Sequence, residues 1–67
     1  MIALQRPAPN EVSATVAQGV KVTYSVQFNM VEVWEGKKVL AATIVPDRYT
    51  MREFISYVNK VSKLFNQ

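Results

Sequence analysis

At 67 residues the chain has room for one domain, and with no Cys and no His it lacks disulfides and the usual zinc ligands. Apolar residues make up 49% of it, enough for a packed core and too many for a disordered tract. Eight Lys and Arg against five Asp and Glu leave a net charge of +3, which suits a polyanionic partner but does not demand one.

No apolar run reaches the length of a transmembrane helix, and Met1 to Gln5 is too short for a signal peptide. A cytoplasmic, complete small gene product is the expectation, with no membrane partner. Chains this short have small cores and often recruit a second subunit, so a homodimer is expected.

Residues 1–10 read as an extended arm or linker, and 11–67 as a single α+β domain. The stretch from Arg6 to Asn10 contains Pro7 and Pro9. Proline has no N–H to donate, so this stretch is not expected inside a sheet. Ile2 and Leu4 leave room for a short edge strand.

From Val12 to Phe28 the apolar residues fall on even positions, a period of two that predicts β-structure. Gly19 interrupts the run. A three-residue loop, Ala17 to Gly19, pairs Val16 with Val20, Ala14 with Val22 and Val12 with Tyr24. Apolar then meets apolar on one face, with Gly19 in the left-handed position that closes such a loop. The opposite face of strand 20–29 carries Lys21, Thr23, Ser25, Gln27 and Asn29.

Around Asn29 and Met30 the phase slips. Val31 and Val33 are odd-numbered, whereas Met30 and Trp34 keep the even phase. A bulge in one long bent strand explains the slip, and so does a break into two strands. The bulge is preferred, because Asn29-Met30 is poor tight-turn chemistry. Glu35 to Lys38 makes the next turn, and Val39 to Val45 the last strand. Ala41 and Ala42 are small, which leaves room for the helix to lie across them.

Thr50 to Phe65 predicts the C-terminal helix. Thr50 and Glu53 form a capping box, and Tyr49 and Phe54 are placed for a hydrophobic staple. Met51, Phe54, Ile55, Val58, Val61 and Phe65 make one apolar stripe. Tyr57 and Leu64 flank that stripe and widen it beyond what a small sheet needs. The expected fold is an antiparallel meander of three strands, or four with a short strand at the start, with the helix on one face.

Catalysis is not expected, nor is a cofactor or metal. The commonest general base and the commonest thiol nucleophile are missing. The five acids are scattered, and no glycine-rich phosphate loop is present. The leading expectation is nucleic-acid binding, to single or double strands of DNA or RNA. Lys37 and Lys38 on a hairpin tip, with Trp34 beside them, join phosphate contacts to a stacking surface. The polar face of strand 20–29, with Lys21, and the side chains of Arg48 and Arg52 complete the candidate set. The alternative is a protein-binding regulator or inhibitor that uses Tyr57, Leu64 or a sheet edge. The element order is similar to that of the arm-type DNA-binding domains of integrases, and of dimeric single-strand binders that follow a curved sheet with one helix. The likeness lies in element order alone, without signature residues.

Overall fold

The computed structural model describes residues 4–66. It is an α+β fold: a five-stranded antiparallel sheet followed by one C-terminal helix. The strands are β1 (Leu4–Ala8), β2 (Glu11–Ala17), β3 (Val20–Ser25), β4 (Met30–Glu35) and β5 (Lys38–Ile44), in the spatial order of the chain. The helix, α1, spans Met51–Phe65.

The strand count exceeds expectation at two places. The first is β1, in the stretch assigned to a linker. It pairs with β2 through Leu4↔Ala14, Gln5↔Ser13 and Ala8↔Glu11, and the register shifts between Gln5 and Ala8. Pro7 falls within that shift, on an edge strand. That is where a residue without an N–H is tolerated, so the proline did not exclude a strand here. Ile2, read with Leu4 as part of this strand, lies outside the described residues.

The second place is the phase slip, which is a break and not a bulge. Val26 to Asn29 form a turn between β3 and β4. Asn29 takes a left-handed φ of 51°, which Asn tolerates better than most residues. Its Nδ2 donates to Asp47 Oδ1 at 2.9 Å, and its carbonyl accepts from the Val45 N–H at 2.7 Å. Gln27 and Asn29 therefore leave the strand face assigned to them. Phe28 is 65% exposed despite keeping the even phase.

The first hairpin follows the expected register, with Val12↔Tyr24 and Ala14↔Val22 opposite one another. At its tip Ala17, not Val16, pairs with Val20, because the register shifts after Thr15. Gly19 has φ +75° and closes the turn as expected. The β4–β5 turn has the same two-residue length, with Glu35 opposite Lys38 and Gly36 at φ +60°. The Gly36 N–H donates to the Gly19 carbonyl at 2.9 Å, so the two hairpin turns are joined at one end of the sheet.

The core lies between the helix and one sheet face. It comprises Val12, Ala14 and Val16 of β2, Val20, Val22 and Tyr24 of β3, Val31 and Val33 of β4, and Phe54, Val58 and Val61 of α1. Period-two alternation on the strands meets 3.6-residue periodicity on the helix, so each presents one apolar side. The helix packs chiefly on β2. Its last turn is tied there by Asn66, whose Nδ2 donates to the Val16 carbonyl at 2.9 Å.

This docking corrects two expectations. Ala41 and Ala42 are not covered by the helix, and every residue of β5 is exposed. The buried stripe is also narrower and rotated: Ile55 and Phe65 are exposed, while Tyr57 packs against the core. At the helix start, Thr50 Oγ1 accepts from the Glu53 N–H at 3.2 Å. The reciprocal contact runs from the Thr50 hydroxyl to Glu53 Oε1 at 3.3 Å, in place of one to the Thr50 backbone. Tyr49 and Phe54 both pack on Tyr24, with ring centroids 5.3 and 5.8 Å away. Among the described residues no helix is long and apolar enough to cross a membrane.

Candidate nucleic-acid interface

The sheet face opposite the helix is built from residues that alternate with the core positions. Thr15, Lys21 and Trp34 lie abreast on β2, β3 and β4, because Thr15 pairs with Lys21 and Lys21 with Trp34. One step along, Ser13, Thr23 and Glu32 lie abreast, followed by Glu11, Ser25 and Met30. Antiparallel pairing stacks these side chains in rows across the strands.

The twisted face forms an open trough of about 340 Å³. It is lined by Glu11, Lys21, Thr23, Ser25, Glu32, Trp34 and Lys37, together with the backbone near Gly36. A second hollow of about 290 Å³ adjoins it at the turns, sharing Lys21 and Gly36 and adding Thr15 and Gly19. Trp34 is half-buried, so part of its ring faces this space.

Three of the six predicted nucleic-acid residues meet here: Lys21, Trp34 and Lys37. The other three are placed elsewhere. Lys38 pairs with Glu35, which pairs with Val20, so Lys38 belongs to the helix-side face. Arg48 lies in the loop before the helix and Arg52 in its first turn. Neither lines the trough or the hollow at the glycine turns. Of the predicted protein-interface pair, Leu64 is 67% exposed, while Tyr57 is half-buried against the core.

No family model matches this chain, and no curated protein or solved structure matches it either. The site therefore rests on its own geometry.

Two charged trough residues were not in the predicted set. Glu11 and Glu32 sit toward the end away from the glycine turns and offset the two lysines. The signal for Glu32 was present in the sequence. Once β4 begins a fresh phase at Met30, Val31 and Val33 point inward, and Glu32 and Trp34 share the outer face. The trough is thus polarised along its length, with Lys21 and Lys37 at the turn end and carboxylates farther in. The hydroxyls of Thr23 and Ser25 share those rows with Glu32 and Glu11, able to donate or accept.

Proposed function

We propose that this chain binds single-stranded nucleic acid, without catalysing a reaction, through the trough on the helix-free sheet face. The observation that supports the reading is the convergence of Lys21, Trp34 and Lys37 on one trough beside the hydroxyls of Thr23 and Ser25. Bases stack on Trp34 and are approached by the hydroxyls, while phosphates stay near the two lysines. Glu11 and Glu32 repel phosphates, which confines the backbone path to the turn end. In this reading the chain works as a homodimer, since a core of eleven buried residues is small for an independent domain.

The test is fluorescence anisotropy with short single- and double-stranded oligonucleotides across a salt series. Two phosphate contacts predict a shallow dependence, with a log–log slope of about −1.4 for single strands. Lys21→Ala with Lys37→Ala should flatten that slope. Trp34→Ala should weaken binding by about 1–3 kcal/mol at every salt concentration. Replacing Lys38, Arg48 or Arg52 with Ala should change it little. Absence of binding at low salt refutes the reading, and binding that survives the trough substitutions refutes the site.

The exposed Leu64 side chain favours a second reading, a protein-binding regulator that docks a target on the helix margin. Leu64→Asp would then abolish capture of a purified target while leaving oligonucleotide binding unchanged.

A further inference from the structure

We propose that β5 is the subunit interface, pairing antiparallel with β5 of a second copy about Ala42, so that two sheets join into one. The proposal deepens the homodimer part of the preceding reading and is independent of nucleic acid.

The two edges of the sheet differ in how they discourage pairing. On β1 the register is broken between Gln5 and Ala8, and Pro7 supplies no N–H. Both are devices that block strand addition. The β5 strand also shifts register once, against β4 between Val39 and Ala41, but it has no proline between Lys38 and Ile44, and Lys38 is its only charge. Seven exposed residues, among them Val39, Leu40 and Ile44, make an apolar strand bare along its outer side. Ile44 is 73% exposed. A strand of this kind is a ready template for another chain.

The register follows from backbone direction and charge. The Val45 N–H points inward, donating to Asn29. By alternation the N–H and C=O groups of Ala42 and Ile44 point away from β4. A two-fold through Ala42 then places Ala42 against Ala42 and Ala41 against Thr43, on the regular part of β5 that follows its register shift at Leu40. The antiparallel direction carries Lys37 and Lys38 of each copy toward the Pro46–Asp47 end of the other. No like charges face one another. A parallel arrangement would set Lys38 beside Lys38, which is unfavourable. A second copy of this chain is therefore the occupant that the edge complements.

The test combines sedimentation with amide hydrogen exchange on the full chain. A dimer at micromolar concentration is expected, with the Ala42 and Ile44 amides becoming protected as concentration rises. Ala42→Pro removes an N–H that β4 does not use, and Ile44→Lys charges a side chain exposed in the monomer. Each should weaken dimerisation about tenfold or more while circular dichroism stays unchanged. A chain that remains monomeric at high micromolar concentration overturns both the dimer and the interface. A dimer in which these two amides stay unprotected overturns the interface alone, as does one that both variants leave intact.

Discussion

The docking of the helix makes a sharp prediction at two adjacent residues. Phe54 and Ile55 both belong to the apolar stripe of α1, yet Phe54 is 0% exposed and Ile55 is 41% exposed. Phe54 lies beneath Tyr24 and among the valines of β2 and β3. Phe54→Ala removes a fully buried ring and leaves a cavity, at a cost of about 3–5 kcal/mol. A 67-residue domain has roughly 3–10 kcal/mol in total, so this variant should be largely unfolded or close to it. Ile55→Ala loses only part of a transfer term of about 1.5–3 kcal/mol, and alanine recovers a few tenths in helix propensity. Its cost should be about 1 kcal/mol. Urea melts followed by Trp34 fluorescence and far-ultraviolet circular dichroism measure both. The protein concentration must be held constant, because association adds to apparent stability. With a slope of about 1 kcal/mol per molar urea, Ile55→Ala should lower the midpoint by about 1 M. Phe54→Ala should leave no folded baseline, or a midpoint lower by about 3 M or more. Equal costs at the two positions, or a cost below about 1.5 kcal/mol at Phe54, would mean that a different face of the helix meets the sheet.

Other consequences concern the start of the helix. Thr50→Ala removes the acceptor for the Glu53 N–H and should cost about 1 kcal/mol, read as a lower urea midpoint, whereas Thr50→Ser should be close to neutral. The Tyr49 phenol is pushed above its ordinary ionisation range, first by burial and then by Glu53, Tyr57 and Tyr24. The folded chain thus holds that proton more tightly than the unfolded chain. The stability it contributes is complete below about pH 10 and is lost as pH rises through the folded value. In melts between pH 9 and 11, Tyr49→Phe should lose stability less steeply than the parent chain. An equal or steeper loss would refute the linkage.

The parts of the fold legible in the sequence are those where one local rule acts alone. The cap at Thr50 and the β2–β3 register away from its tip are of this kind, because a hydroxyl three residues before Glu53 and a period of two on each strand have few competing solutions. The misreadings came where two rules conflicted. Val26 and Phe28 keep the even phase of β3, so pattern argued for strand through a segment that turns. The left-handed Asn29, held by Asp47 eighteen residues away, is a tertiary contact that no local window contains. Proline at position 7 argued against a strand, yet the rule applies to interior strands and β1 is an edge. Helix placement was illegible for a similar reason. Small residues at 41 and 42 showed where a helix would fit, but α1 settles on β2, and β5 stays bare. In the trough, Trp34 and Lys37 were found from proximity in sequence. Lys38 was grouped with them on the same ground, although adjacent residues across a tight turn diverge to opposite faces.

The trough and the β5 edge belong to one sheet, and this links the two proposals physically. A two-fold at Ala42 stands perpendicular to the joined sheet, so both helices lie on one side and both troughs on the other. Antiparallel pairing sets the glycine turns of the two copies at opposite ends of β5. The Lys21–Lys37 corners are then separated by at least the length of that strand, about 23 Å at 3.3 Å per residue. Between them lie apolar β5 residues and the carboxylates of Glu32, which offer phosphates no continuous path. Under the two proposals the dimer would hold two short sites and not one long groove. Short oligonucleotides should bind two per dimer without cooperativity. An oligonucleotide long enough to reach both corners should bind more tightly through effective concentration alone. Ala42→Pro should abolish that length-dependent gain and leave short-oligonucleotide affinity unchanged. Titrations with a length series of single-stranded homopolymers decide the matter. A gain that persists in a monomeric Ala42→Pro variant would break the link between the edge and the trough, even if each proposal survived its own test.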